Sequence, residues 1–271
     1  MDTDGGGGHR ARKRFGQHFL TDASVVEAIV DAIAPREGEL LVEIGPGLAA
    51  LTGALLERVP HLHAVEIDRD LAARLRRRYA AQRLTVHEAD ALRFDFGTIA
   101  GSGARRRLRI VGNLPYNVSS PLLVRLLDFR AGIEDQHFML QREVVQRIVA
   151  SASTREFGRL SVLMQAFYDV ERLFDVPPSA FDPPPKVESS VVRMRVRIDR
   201  LAHDPSPLQA VLAVAFTQRR KMIRTTLLPW LDARQVPRPA IAPTLRPEQI
   251  EVPMWLSIAD SCAAVSDVRL R

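Results

Sequence analysis

The sequence predicts an α/β chain: a parallel sheet with helices on both faces, followed by a small helical domain. Three observations predict it. Short apolar runs alternate with stretches of helical periodicity from Thr21 to Leu140, the mark of repeated strand–helix units. The first clear run leads into a glycine turn, Gly45-Pro46-Gly47, that opens a helix. From about Pro205 the periodicity is helical only, with Leu208, Val211, Leu212, Ala215 and Phe216 in register.

Each element follows in order. Residues 1–14 read as a disordered basic tail, rich in glycine and without an apolar core, so not a secretory signal. A helix starts at Thr21/Asp22, carries Val25, Val26, Ile29, Val30 and Ile33, and ends at Pro35. A strand over Leu40–Ile44 precedes the glycine turn, and the next helix has Leu48, Leu51, Leu55 and Leu56 on its apolar side. Leu62–Ile67 is a strand, Asp68–Tyr79 an Arg-rich helix, and Leu84–Glu88 a strand leading to Asp90. Leu108–Val111 is a strand leading to Asn113, Pro121–Phe129 a helix, and Gln136–Leu140 a strand. Ser151–Gly158 is a polar surface loop. Val176–Lys186 holds five prolines and is stiff and irregular, because proline donates no backbone hydrogen bond. Val191–Ile198 is a strand with one basic face. The main domain thus spans 15–204 and the helical one 205–271.

Composition bounds the function. The chain has 271 residues, 46% apolar and 26% charged, which excludes long disorder and collagen as the main architecture. No apolar run approaches the roughly 18 residues of a membrane span. One cysteine, Cys262, forms no internal disulfide and no cysteine zinc site, and fits a reducing cytoplasm. No metal site and no dimer seam are read in the pattern, so a monomer is expected. The net charge is +6, and only Lys13, Lys186 and Lys221 are lysines. Base composition alone can favour arginine, so clusters say more than the ratio. They are Arg10, Arg12, Lys13 and Arg14; Arg74, Arg76, Arg77 and Arg78; Arg105, Arg106, Arg107 and Arg109; and Arg219, Arg220, Lys221 and Arg224. Each alone is an ordinary solvated face. Together, on a chain with a base-sized site, they favour a nucleic-acid partner. Arg219, Arg220 and Arg224 fall on helical spacing, suited to consecutive phosphates.

The site is expected at the carboxyl ends of the strands, where open α/β sheets bind ligands. Gly45-Pro46-Gly47-Leu48-Ala49-Ala50 matches G-x-G-x-x-A, with Glu66 about twenty residues on, placed for ribose hydroxyls. The strand ends read Glu43, Glu66, Asp90 and Asn113. Three acids in one crevice suit S-adenosylmethionine, which carries a sulfonium, an ammonium and no phosphate. They suit a pyrophosphate-bearing nicotinamide dinucleotide less well. Asn113-Leu114-Pro115-Tyr116 then meets the needs of methyl transfer to an exocyclic amine. The amine lone pair is delocalised into the base. Acceptors at the Asn113 side chain and the Leu114 carbonyl can hold the nitrogen pyramidal, and Tyr116 offers a ring for stacking. Phe181, braced by Pro183–Pro185, offers a second ring.

At this point the chain resembles the KsgA/RsmA family of ribosomal RNA adenine N6-dimethyltransferases. The resemblance lies in Arg12-Lys13-Arg14-Phe15-Gly16-Gln17-His18-Phe19-Leu20, Val42–Gly47, Val65–Asp70 and Gly112–Asn117, then Pro177–Val187 and Phe216–Lys221, in order along nearly the whole chain. It implies a Rossmann-like S-adenosylmethionine-dependent methyltransferase domain with a small C-terminal helical domain. The implied reaction dimethylates the N6 of two adjacent adenosines in the 3′-terminal hairpin loop of 16S rRNA, yielding S-adenosylhomocysteine. The implied partner is the small ribosomal subunit. Implied cofactor contacts are His18, Leu20, Glu43, Gly45, Gly47, Glu66, Asp90 and Asn113. Implied catalytic contacts to the base are Asn113, Leu114, Tyr116 and Phe181, and implied RNA contacts are Arg12, Lys13, Arg14, Arg219, Arg220, Lys221 and Arg224. Two positions depart from the family. His18 stands where asparagine is frequent, and Ala49 replaces a frequent glycine, which a helix start tolerates. Related methyltransferases of large-subunit rRNA share the fold and loop, and an assembly factor that mainly binds immature subunits is a compatible second reading.

Overall fold

The computed structural model describes residues 18–100, 107–201 and 203–269, with the side chains of 100 and 266–269 left aside. The basic tail, with Arg12, Lys13 and Arg14, lies outside the described residues, as do Arg105 and Arg106. The chain opens with a short strand, β1 (Phe19–Leu20), then α1 (Ala23–Ile33). Asp22 caps α1, its carboxylate accepting from the backbone N–H of Ser24 and Val25. β2 (Leu40–Ile44), α2 (Ala50–Arg58), β3 (Leu62–Glu66), α3 (Arg69–Arg78) and β4 (Leu84–Glu88) form two strand–helix crossovers. Asp68 caps α3 in the same way. A single turn, α4 (Gly97–Ala100), precedes β5 (Leu108–Asn113) and α5 (Ser119–Leu126). The predicted helix through Phe129 ends earlier, because Leu127–Gly132 tightens into a 3-10 helix.

β6 (Ile133–Gln141), α6 (Arg142–Ile148), α7 (Arg159–Phe167), β7 (Tyr168–Val176), β8 (Phe181–Asp182) and β9 (Ser189–Val196) complete the sheet region. The main sheet has seven strands in the order β4-β3-β2-β5-β6-β9-β7. The strands expected to run parallel, β2 to β6, do so. β9 runs antiparallel to both β6 and β7. The reason lies in the connection. A parallel pair needs a crossover, usually a helix. The proline-rich segment 177–188 instead makes a 3-10 turn and β8, so the chain folds back against β7. β7 was not anticipated at all. It is an edge strand carrying Asp169, Glu171, Arg172 and Asp175, with a register shift between Arg172 and Phe174, and charges of this kind protect an edge.

Each face of the sheet has its own buried cluster. α1 and α2 cover Leu41, Val111, Met139 and Val191 with Ile29 and Leu55. The opposite face buries Ile44, Ile110 and Phe138 against Leu123 and Phe167. α8 (Ser206–Thr217), α9 (Leu227–Asp232) and α10 (Val252–Arg269) follow. Their Leu212, Leu231 and Trp255 belong to that second cluster, so sheet and C-terminal helices share one core.

Arg109, expected in a basic surface cluster, is 6% exposed and is corrected to a structural role. It grips Asp135 through Nε and an amino nitrogen at 2.9 and 2.8 Å and Glu39 at 2.7 Å, and donates to the Ile33 carbonyl at 2.7 Å. One guanidinium thereby joins β5, β6 and the end of α1. Removing one partner of such a buried set costs about 3–5 kcal/mol, because the remaining charges lose their compensation.

Candidate active site

The C-terminal ends of β2, β3 and β5, with the loop after β4, bring Glu43, Glu66, Asn113 and Asp90 to one cavity. His18, Leu20, Gly45, Gly47, Leu114 and Tyr116 line it as well. Ten of the sequence-derived site residues therefore meet in a single space.

The turn after β2 works because its glycines adopt left-handed backbone, φ +67° at Gly45 and +57° at Gly47. Gly45 donates its N–H to the Val65 carbonyl at 2.9 Å, tying the turn to β3. Gly47 donates to Glu66 Oε2 at 3.2 Å, and Asp68 N–H donates to Oε1 at 2.8 Å. Glu66 is thus fixed by two backbone donors, with lone pairs left for ligand hydroxyls. Burial, opposed by these bonds, raises its pKa. Glu43 is deeper. Thr52 Oγ1 donates to it at 2.6 Å, and burial pushes its pKa up to about 8. Asp90 accepts from the Leu92 N–H at 3.0 Å, which caps the loop after β4.

Ala49 corrects an expectation. It is not a tolerant helix-start position, since its φ is +71°. Glycine meets that conformation without the penalty an alanine Cβ incurs. Leu48 likewise precedes α2 and lines the cavity.

The loop after β5 is held from three sides. Leu114 N–H donates to the Met139 carbonyl at 3.2 Å, and Val118 N–H to the Pro115 carbonyl at 3.1 Å. The Tyr116 hydroxyl shares a hydrogen bond with Ser189 Oγ at 3.0 Å, and burial raises its pKa, so it stays a phenol. The Asn113 carboxamide nitrogen donates to the His18 carbonyl at 3.2 Å. That assignment leaves Oδ1 as the acceptor end, without a partner among the described residues. His18 is placed by β1, which pairs antiparallel with β8, Leu20 opposite Phe181. Its ring lies 2.7 Å from the Pro183 carbonyl through Nδ1 and stacks with Tyr116, centroids 5.8 Å apart.

Phe181 is the exception among the base-contact candidates. It is 4% exposed and packed in the cluster with Leu20, Val176 and Val191, away from the cavity lining. In this structure its ring braces the β1 strap. Sequence reasoning missed Ile67, which was read as the last strand residue. It is 50% exposed and lines the cavity next to Glu66, an apolar flank for a flat ring. An apolar side chain directly after a strand-end acid is the signal that marks it.

The C-terminal basic cluster also differs from expectation. α8 stops at Thr217, and Gln218 leaves helical backbone with φ −128° and ψ 59°. Arg219, Arg220 and Arg224 therefore do not lie along one helix face. Arg219 points inward, bonding Glu248 at 2.5 Å and the Arg155 carbonyl at 2.6 Å. Arg220, Lys221 and Arg224 are exposed. In the α3 cluster, Arg76 pairs with Glu88, and Arg78 lies over the Tyr79 ring.

The cavity lining fits the cofactor that the acids imply. Among its described residues are Glu43, Glu66 and Asp90 and no lysine or arginine, as suits a cationic ligand without phosphate. Fold and site together define a Rossmann-like, S-adenosylmethionine-dependent methyltransferase. Comparison with known proteins narrows this. The family model for ribosomal RNA adenine dimethylase matches residues 8–263. A relative from Bordetella petrii, 58% identical over 257 residues, is named ribosomal RNA small subunit methyltransferase A; the match covers 93% of this chain and 95% of that protein. One of the same name from Aromatoleum aromaticum is 54% identical over 260 residues, covering 95% and 96%. Among solved structures, a dimethyladenosine transferase from Plasmodium falciparum superposes with TM-score 0.75 at 20% identity, covering 92% of this chain and 98% of that one. The 23S rRNA methyltransferase ErmE superposes with TM-score 0.62 at 25% identity, covering 90% and 99%. The chain belongs to the ribosomal RNA adenine dimethylase family.

Proposed function

We propose that this enzyme dimethylates the N6 amines of two adjacent adenosines in the 3′-terminal hairpin loop of 16S rRNA, on the small subunit as it assembles. The observation that carries the reading is the Asn113–Tyr116 loop opening onto the same cavity as the acidic strand ends. The curated relatives' names support the small subunit as substrate. We place the work in the cytoplasm and assign it to a monomer. The described helices include none long and apolar enough to cross a membrane.

Bound S-adenosylmethionine supplies an activated methyl group. The residues of this chain do the rest by positioning and electrostatics. Glu66 holds the ribose hydroxyls. Asp90 provides the acidic side of the cavity, and Glu43, which burial keeps protonated up to about pH 8, backs it as a neutral carboxyl. Asn113 Oδ1 and the Leu114 carbonyl accept from the target amine, which draws its lone pair out of conjugation with the ring. Tyr116, steadied by Ser189 and His18, flanks the base. The adenosine must leave its stack to enter. The site must also admit the monomethylated amine for the second transfer. Exposed Arg220, Lys221 and Arg224, and the tail residues Arg12, Lys13 and Arg14, are assigned to the rRNA backbone. Phe181 serves the site through β1.

The test uses small subunits lacking the modification and tritiated S-adenosylmethionine. N6,N6-dimethyladenosine in 16S rRNA is the expected product. A block mapped by primer extension to large-subunit rRNA would replace this reading with the other branch of the fold, which ErmE represents. Tight subunit binding without label transfer would favour a binding factor.

A further inference from the structure

We propose that His63 and His87 form a two-histidine site for a divalent cation of the zinc type, a clamp across β3 and β4 apart from the methyl-transfer site.

Strand pairing makes the site. In the sequence, 24 residues separate His63 from His87, and no metal-ligand spacing marks them. β3 and β4 pair in parallel, with Thr85 opposite His63 and His87 opposite Val65. Residues two apart on a strand share a face. His63 and His87 therefore stand on one face of the sheet, at its edge, where β4 is the outermost strand. α3 packs on the other face, through Leu75 with Leu62 and Ala64. Both histidines are partly exposed. His63 Nδ1 lies 3.1 Å from His87 Nε2, and the ring planes are 19° from parallel.

That spacing suits a metal. Zinc binds imidazole nitrogen at about 2.0–2.1 Å, so two ligands at a tetrahedral angle stand roughly 3.3 Å apart. The pair needs to open by only a few tenths of an ångström. A neutral imidazole has one donor and one acceptor nitrogen. In the hydrogen-bonded pair, one of the two facing nitrogens carries the proton. For both to bind a cation, that proton passes to the outer nitrogen of its ring, and both rings stay neutral. Unlike those of His137, none of their nitrogens is both sealed from water and unpartnered. Burial, with His61 and His87 nearby, lowers the His63 pKa to about 4, and burial lowers that of His87. Both rings are thus in the metal-binding form at neutral pH.

The surroundings hold the rings in place. His61 Nε2 lies 2.9 Å from Thr85 Oγ1, and the His61 ring meets His63 edge-on, centroids 4.7 Å apart. Phe94 flanks His87 at 5.0 Å. Such outer contacts fix ligand orientation. Among the described residues no group of three ligating side chains gathers, so two imidazoles are the protein's share and water completes the coordination. His63 precedes Glu66, and His87 precedes Asp90, by three residues, about 10 Å of extended chain. Neither histidine lines the cofactor cavity.

The experiment titrates the full chain, freed of metal, with zinc chloride at neutral pH against a chromophoric chelator. Wild type, His63→Gln, His87→Gln and the double variant are compared. Imidazole proton–nitrogen spectra and Tm are recorded with and without zinc. Wild type is expected to bind one ion saturably and to shift the His63 Nδ1 and His87 Nε2 resonances. Its Tm should rise with zinc, since a ligand of the folded state stabilises that state. Each single variant is expected to lose at least about 10-fold in affinity, because losing a ligand costs no less than losing an outer contact. The double variant is expected to show no rise in Tm. Wild type without saturable uptake overturns the proposal, since the pair then only shares a proton. So does a double variant that holds zinc as tightly as wild type, or zinc binding that leaves both resonances unmoved. If a variant fails to fold, the wild-type spectra decide, because they report the ligating nitrogens directly. The result is independent of the methyl-transfer reading.

Discussion

The Asn113 carboxamide donates to the His18 main-chain carbonyl at 3.2 Å, across 95 residues of sequence. This bond ties the catalytic loop to the N-terminal strap. Asn113→Ala should therefore do two things: remove an acceptor for the target amine and release the strap. The expected loss of transfer is on the order of 10²–10³-fold, as when one preorganised hydrogen bond to a reacting centre is deleted. Subunit binding should persist. Rapid-quench methylation beside a subunit pull-down checks this, and a variant that still transfers methyl at the wild-type rate would remove Asn113 from the mechanism.

Gly112 and Gly132 make a matched pair. A Cβ at Gly112 would meet the Ile44 carbonyl oxygen at 2.4 Å, whereas one at Gly132 meets nothing within 4 Å. Gly112→Ala should push β5 from β2 and cost about 1–3 kcal/mol, the usual scale of overpacking. Gly132→Ala should be close to neutral. Urea denaturation of both variants is the measurement, and equal midpoints would contradict the close approach of the two strands.

Ala49 holds φ at +71°. Ala49→Gly should relieve a left-handed alanine, offset in part by the greater entropy of glycine in the unfolded chain. A net gain of about 0.5–1 kcal/mol is expected. A lowered Tm would mean that the buried methyl group contributes more than the backbone strain costs.

Glu43 makes stability depend on pH. Burial raises its pKa from 4.5 to about 8. Between those values the folded protein keeps a proton that the unfolded chain has released. Its contribution is thus fully present below the unfolded pKa and is lost as pH rises through the folded one. Glu43→Gln keeps an acceptor for Thr52 and has no proton to lose. The Tm of the variant should gain on wild type as pH rises across that window, and parallel Tm profiles would argue that Glu43 is charged in the fold.

The arginines of the C-terminal cluster should separate by task. Arg219 joins the loop at Thr154 and Arg155 to Glu248, so Arg219→Ala should lower Tm. Those side chains are partly exposed, which limits the loss to about 1 kcal/mol. The triple change Arg220→Ala, Lys221→Ala and Arg224→Ala should leave Tm alone and weaken subunit binding. Its slope of log affinity against log salt should flatten by about 0.7–0.9 per lost phosphate contact. An unchanged slope would place the rRNA elsewhere on the surface.

Much of this was legible in the residues. Helical and strand periodicity located α1, β2, β3, α3 and β4 to within a residue or so, because a half-buried element must show its buried face at its own period. The acids and Asn113 could be assigned to one crevice before any coordinates, because consecutive strands of a parallel sheet end at the same edge. What the residues could not show was decided by contacts distant in sequence. β7 escaped because an edge strand buries too little to impose alternation. The direction of β9 depended on how the proline segment packed. Arg109 and Arg219 look like their surface neighbours, and only Asp135, Glu39 and Glu248, brought close by folding, turn them inward. Local pattern determined the elements and the chemistry at the strand ends, because those depend on each residue's own period and type. Tertiary structure alone decided which charges are buried and which ring meets the cavity, because those depend on partners that the chain brings together only when it closes.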